Sequence, residues 1–442
     1  MTGRHAGAPL AYRRGMHDLV IRNGLLVDGT GTPPRRADVG VDGETIVEVG
    51  GDVGAGRREI DAEGRILTPG WVDLHTHYDG QVTWDADLAP SSVNGVTSLV
   101  MGNCGVGFAP ARPDRHEWLI SLLEGVEDIP GTALAEGMTW GWESFPEYLD
   151  VLGDRRWTLD VGAQVPHAAL RTYVMGERGA DHTARATGDE IATMARLAEE
   201  AVAAGALGFT TSRTWVHRTS LGEQIGTLTA AAEEVLGIAG ALRHLGAGVV
   251  QLISDVYQSD DDELVARELD LLGRIAREVG RPLSFTVQQN DRTPERFREL
   301  LAAIGGWNAE GATVRAQVAV RPIGVLLGLS ASANPFIFSA AYRELMPLPV
   351  AERARRLRED PALREAVLRE HREAAGLAAD FVGLVHSGYG RMYPPAVVPQ
   401  LKIDRPGVVA AISPTAGPDQ VARPAAWPAR YSACATPRSV AR

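Results

Sequence analysis

The sequence predicts an α/β protein: a (β/α)8 barrel stopping one strand short of eight, preceded by a small all-β module expected as a β-sandwich. Two observations carry this. From residue 69 onward, β-branched and apolar runs alternate with longer stretches of helical period, the rhythm of parallel β-α-β units with right-handed crossovers. Before that, from His17 to about Thr68, the runs are short. They are separated by Asn23-Gly24, Asp28-Gly29 and Asp42-Gly43, dipeptides that supply the positive φ angles of tight hairpins.

In the small module the strand candidates are Leu19-Val20-Ile21, Leu25-Leu26-Val27, residues 37–41 and residues 45–49. The barrel rhythm then opens on the apolar run before His75. Residues 96–101 form a β-branched run ending in Gly102-Asn103-Cys104-Gly105, and residues 157–165 lead to Pro166-His167. Helical stretches at 189–204, 230–245 and 262–279 precede strands at 206–211, 248–253 and 282–287. A helix beginning near Pro294 leads to a seventh strand at 313–318. Seven is one fewer than closes the barrel. Residues 352–377 read as a charged surface helix. From about Asp404 the chain carries many prolines and no period of either kind, so residues 381–442 are expected to be a disordered tail. The expected organisation is thus an arm at 1–16, the β module at 17–68, the barrel domain at 69–380 and the tail.

Composition narrows the partners. A length of 442 residues, 45% hydrophobic and 23% charged, is that of a globular protein with room for a large core. A net charge of -12 argues against nucleic acid and anionic membrane surfaces as partners. No apolar run reaches the roughly 18 residues that span a bilayer. Residues 1–16 hold Arg4, Arg13 and Arg14 without an apolar centre, unlike a secretory signal. The two cysteines, Cys104 and Cys434, sit in unlike contexts, so no disulfide is expected and the compartment is expected to be reducing, that is cytoplasmic. Nothing in the sequence fixes an oligomeric state.

In a strand, residues two apart face the same way, so His75 and His77 present two imidazoles on one side. Neutral imidazole is the commonest metal ligand. Imidazole suits zinc, iron and nickel, and Cys104 sits at the end of the next strand. His167, Arg213, His217 and Arg218 also fall at or just after strand ends, where a barrel carries its chemistry. A pair of loop histidines, a buried small cysteine and ordinary surface arginines fit the same residues.

The run Thr68-Pro-Gly-Trp-Val-Asp-Leu-His-Thr-His-Tyr-Asp79, together with Gly95-Val-Thr-Ser-Leu-Val-Met-Gly-Asn-Cys-Gly-Val-Gly-Phe-Ala-Pro110, resembles the D-aminoacylase / N-acyl-D-amino-acid deacylase branch of the amidohydrolase superfamily. The opening Leu19-Val-Ile-Arg-Asn-Gly and the fourth-strand stretch Gly205-Ala-Leu-Gly-Phe-Thr-Thr-Ser212 are similar too, and the resemblance covers roughly residues 17–380. It implies a metal-dependent hydrolase on a (β/α)8 barrel, cutting the linear amide of a small-molecule substrate, an N-acyl-D-amino acid, with metal-activated water. By position, His75, His77 and Cys104 match metal ligands. His167, Arg213, His217 and Arg218 become candidates for substrate contact, with an arginine suited to clamping a carboxylate.

The sequence also departs from that pattern. The family's histidines on the fifth and sixth strands are replaced by Val250-Gln251-Leu252-Ile253 and Ser284-Phe285-Thr286-Val287, so the expectation is either a reduced site with one divalent ion, zinc, rather than two, or a lost metal. The Ser-Asp-Gly motif of the catalytic aspartate is absent, which leaves the catalytic base unassigned and suggests a C-terminal truncation. Two further readings therefore stand beside deacylation: an inactive amidohydrolase fragment, and a cyclic amide hydrolase. Lys402 is the sole lysine, which weighs against the last, because a bridging lysine is then unavailable.

Overall fold

The computed structural model describes residues 16–373, apart from 90, 128, 291, 292, 320–327, 330–333 and 335. The arm before Met16, the end of the barrel region beyond residue 373, any eighth strand there, and the tail with Cys434 lie outside the described residues. The chain forms two compact units. The first takes residues up to Leu74 with Asp87–Leu99 and Thr158–Val161; the second takes His75–Ala86, Val100–Trp157 and residues from Gly162 on.

The first unit holds one mixed sheet of five strands, β1 (His17–Leu26), β2 (Arg35–Asp42), β3 (Thr45–Gly50), β4 (Gly56–Asp61) and β5 (Ile66–Leu67). The order is β3-β2-β1-β4, with β5 also on β1. The β2 and β3 pairings are antiparallel and those of β4 and β5 with β1 are parallel. The expected β-sandwich is therefore a single mixed sheet among the described residues. Asn23-Gly24 is not a hairpin turn either. Asn23 takes φ 58°, but the strand continues past it with a register shift between Ile21 and Gly24, and the Asn23 amide donates to Asp61. One left-handed residue makes a bulge; a reversing turn of this type needs two. Asp42-Gly43 does turn the chain, between β2 and β3. Leu26, Ala37 and Val39 form the buried face. In the same unit β6 (Trp71–Asp73) runs parallel to β7 (Val96–Met101), pairing Trp71 with Val96, Val72 with Ser98 and Asp73 with Leu99.

His17, at the start of β1, reaches Asp42 through Nδ1 at 3.1 Å and Glu48 through Nε2 at 3.2 Å. Burial alone would lower its pKa, but the hydrogen bonds and charges of Glu48 and Asp42 outweigh that and raise it. A raised folded pKa gives stability that is complete below the unfolded value and is lost as pH rises through the folded one. His17→Gln is therefore expected to destabilise the protein more at pH 5 than at pH 8. Equal losses in denaturant titrations at both pH values would contradict this.

The remaining strands are β8 (Asp160–Ala163), β9 (Val165–Pro166), β10 (Gly208–Arg213), β11 (Val249–Ser254), β12 (Leu283–Thr286) and β13 (Val314–Gln317). β8 joins β6 and β7 in a sheet of order β6-β7-β8, while β9 to β13, in the second unit, make a wholly parallel sheet in the order β13-β12-β11-β10-β9. The helices Gly188–Ala204, Ala232–Ala241, Asp262–Glu278 and Arg296–Ala309 fall between them, as the sequence rhythm predicts. Their strands bury Phe209, Val250, Leu252, Leu283 and Phe285 almost completely, the two-sided burial that parallel strands between helices require. The charged stretch after residue 350 is two helices, Val350–Glu359 and Pro361–Arg372. It breaks at Asp360 because the residue before a proline avoids helical geometry, and Asp360 instead caps the second helix through Leu363 N–H.

Three helices between β7 and β8 have no counterpart in the sequence reading: His116–Glu127, Gly131–Gly137 and Phe145–Gly153. The last starts on a capping box in which the Ser144 hydroxyl and the Glu147 carboxylate satisfy each other's backbone N–H groups. Among the described residues no helix is long and apolar enough to cross a membrane.

Candidate metal centre

His75 and His77 lie just past the end of β6, and Cys104 lies in the turn that ends β7. That turn is built from backbone that few residues tolerate. Gly102 takes φ 77°, and a Cβ there would sit 2.1 Å from the Gln164 carbonyl oxygen, so only glycine fits. Cys104 itself takes φ 54°. A non-glycine residue held there must be supported by its surroundings, and three side chains supply the support. The Gln251 Oε1 on β11 accepts the Cys104 N–H at 3.1 Å, and the Thr210 hydroxyl on β10 accepts the Gly105 N–H at 3.1 Å. The Gln164 amide donates to Asn103 Oδ1. Asn103 in turn donates to the carbonyls of Val100 and Thr76, so the residue between the two histidines is tied to the residue before the cysteine.

The result is a cluster in which one ring nitrogen of His75, one of His77 and the Cys104 sulfur all lie within 4.8 Å of one another. His75 Nε2 is 2.9 Å from Cys104 Sγ, and the two imidazole rings stand 5.5 Å apart. The electrostatics match a metal site. Burial pushes the His77 pKa down to about 4, so its ring is neutral, the form that ligates. Burial, then the charges of Glu127 and Asp79, push the Cys104 thiol well up. Only a cation at the sulfur reverses that and holds the thiolate. His77 Nδ1 is buried without a hydrogen-bond partner, while Nε2 faces the Glu127 carboxylate at 3.4 Å. An orphaned ring nitrogen beside an imidazole and a thiol is the lone pair a dication would take. Two imidazoles and one thiolate are also the three-ligand count of catalytic zinc sites, which keep a fourth position open.

Several neighbours carry no motif in the sequence. Glu127 ends the helix His116–Glu127, which docks onto the 217–220 loop through Ser121 and Ser220. Asp79, two residues past His77, is buried; burial raises its pKa to about 7, its Oδ2 lacks a partner, and the Gly102 N–H donates to it. The alternation His75-x-His77-x-Asp79 was the one available signal for it.

The four further candidates divide. His217 is buried with Nδ1 on the Ser212 hydroxyl at 2.8 Å; burial and then the nearby rings of His77 and His75 lower its pKa to about 3. Arg218 follows it, buried between Trp215 and Phe338, with Nη2 donating to the Trp215 carbonyl. Among the described residues no carboxylate pairs with it, and burial lowers its pKa to about 10. The other two are engaged elsewhere. Ser212 turns toward His217, so Arg213, the next residue of β10, points the opposite way and grips both oxygens of Glu268 at 2.7 and 2.8 Å. His167 starts the helix His167–Met175 fully buried, closed between the Thr211 hydroxyl at 2.8 Å and Glu234 at 3.0 Å. In the structure both side chains are thus held by partners within the protein.

The amidohydrolase family model matches residues 58–379. The chain belongs to the amidohydrolase family. Within that family it is 33% identical over 291 residues to a D-aminoacylase of Alcaligenes xylosoxydans xylosoxydans, an alignment covering 65% of this chain and 54% of the relative. A solved D-aminoacylase, studied for its binuclear metal centre with one-metal activation and second-metal attenuation, is 30% identical. It superposes with a TM-score of 0.54 over 68% of this amidohydrolase and 58% of that chain. An N-acyl-D-glutamate deacylase from Bordetella bronchiseptica, complexed with zinc and a phosphonate mimic of the tetrahedral intermediate, is 28% identical, with a TM-score of 0.54 over 70% and 59% of the two chains. This amidohydrolase therefore spans little more than half the length of the relatives it matches.

Proposed function

We propose that this amidohydrolase hydrolyses the linear amide bond of an N-acyl-D-amino acid, using one zinc ion held by His75, His77 and Cys104. The observation that carries the reading is the convergence of three zinc-type donors, a ring nitrogen from each histidine and the Cys104 sulfur, within 4.8 Å of one another. The described activities of the D-aminoacylase and the deacylase relatives support the substrate class. The parallel α/β succession is read as most of a (β/α)8 barrel, within a domain at 69–380, and a reducing cytoplasm would keep Cys104 free to ligate.

A zinc ion held by these residues would lower the pKa of water from about 15.7 to about 7 and would polarise a carbonyl. The chain's own residues do the rest. Arg218, a desolvated guanidinium with no carboxylate partner among the described residues, receives the substrate carboxylate, and His217 beside it, near enough to the His77 and His75 rings to feel their charge, faces the amide. Neutral at any physiological pH, His217 offers a hydrogen bond rather than a charge.

Assays of N-acetyl-D- and N-acetyl-L-amino acids with zinc present are expected to show turnover of the D-series. Stoichiometric zinc without turnover of either series would reject the proposal. Arg218→Met is expected to raise KM about 10- to 100-fold with kcat little changed, because a charge-assisted hydrogen bond is worth roughly 1.5–3 kcal/mol. An unchanged KM would remove Arg218 from the substrate site.

A further inference from the structure

Resting on the metal-centre reading above, we infer that Gln317 is a positioning residue that fixes the His75 ring in the tautomer whose Nε2 lone pair faces Cys104. Gln317 is the last residue of β13, 242 positions from His75, and its Oε1 lies 2.9 Å from His75 Nδ1. An amide oxygen only accepts, so Nδ1 carries the proton and donates. Nε2 is then bare, and it is the nitrogen that sits 2.9 Å from Cys104 Sγ. In the opposite tautomer an N–H would point at the sulfur and ligation through Nε2 would be blocked. A metal-bound histidine generally has its second ring nitrogen held this way by an acceptor.

The backbone makes Gln317 suited to the task. Thr286 on β12 pairs with it in register, and Val287 N–H donates to its carbonyl at 2.9 Å, so its Cα is fixed by the sheet. Gln251, on β11 of the same sheet, holds the Cys104 backbone in a parallel manner. Two of the three proposed ligands are thus steered by amide side chains of one parallel sheet. The neutral amide is also the sensible acceptor here. Asp79 and Glu127 already place carboxylates near the thiol, and a third would add repulsion without adding geometry.

Histidine-labelled ¹⁵N NMR on the metal-free protein tests this without reference to metal. His75, assigned with a His75→Asn sample, is expected as the Nδ1–H tautomer in the wild type and in Gln317→Glu. In Gln317→Leu it is expected to shift toward Nε2–H. Zinc affinity by chelator competition is expected to fall about 10- to 100-fold in Gln317→Leu, and much less in Gln317→Glu, which keeps an acceptor. A purely structural role would weaken both variants alike. If Gln317→Leu does not fold, the near-isosteric Gln317→Met carries the same two readouts. An unchanged His75 tautomer, or equal zinc affinity in wild type and Gln317→Leu, overturns the inference. A wild type that binds no zinc sinks the metal-centre reading instead, and the NMR result still decides the role of Gln317.

Discussion

Cys104→Ala is expected to strip the protein of its metal. The wild type should retain about one zinc per chain after dialysis, in a site of three protein ligands, and the variant close to none. The argument is one of compensation. The thiol is buried, and burial alone drives it away from the thiolate, so the site holds its sulfur anion only with a cation present. Remove the sulfur and two neutral imidazoles remain, with nothing to balance a dication except Asp79 and Glu127 at the margin. The turn should survive, because its hydrogen bonds run through backbone N–H groups and the side chains of Asn103, Gln164, Thr210 and Gln251, none of which involves the thiol. Circular dichroism should therefore match the wild type while elemental analysis does not. Unchanged zinc content would remove Cys104 from the ligand set.

Glu234→Ala is expected to cost about 3–5 kcal/mol of stability, the usual penalty for removing one partner of a buried ion pair. Arg171 is completely buried and donates through Nη1 to both Glu234 oxygens, at 2.9 and 3.0 Å, while His167 Nε2 meets the same carboxylate at 3.0 Å. The carbonyls of Gly179, Asp181 and Ala184 take the remaining guanidinium donors, but carbonyls do not neutralise its charge. Against a typical net stability of about 5–15 kcal/mol this is a large fraction. The double substitution Glu234→Leu with Arg171→Met should recover most of it, since matched apolar replacement of a buried pair is often neutral. A loss under about 1 kcal/mol in urea titration would show the guanidinium to be solvated after all.

The parallel strands were legible because each is a β-branched or apolar run bounded by turn residues, and the helices between them carry a clean 3.6-residue period. The clustering of His75, His77 and Cys104 was legible for a different reason, since side chains able to ligate a divalent ion are few in type. What the sequence hid is where side chains turn. Arg213 and His167 sit at strand ends, but alternation along β10 sends Arg213 away from Ser212 and His217, into Glu268, and a helix start buries His167 against Glu234. Gln251, Gln317 and Glu127 reach the centre from distant stretches, and an amide or a helix-end carboxylate carries no motif. Asn23-Gly24 misled because its signal fits a bulge as well as a turn, and only the pairing of Gly24 with Ala37 on the far side decides between them.

Zinc K-edge X-ray absorption on the reconstituted wild type tests the centre most directly. One sulfur scatterer at about 2.3 Å together with imidazole nitrogens at about 2.0–2.1 Å is the expected first shell. A shell of oxygen and nitrogen alone, identical in wild type and Cys104→Ala, would place the ion somewhere other than between these three side chains.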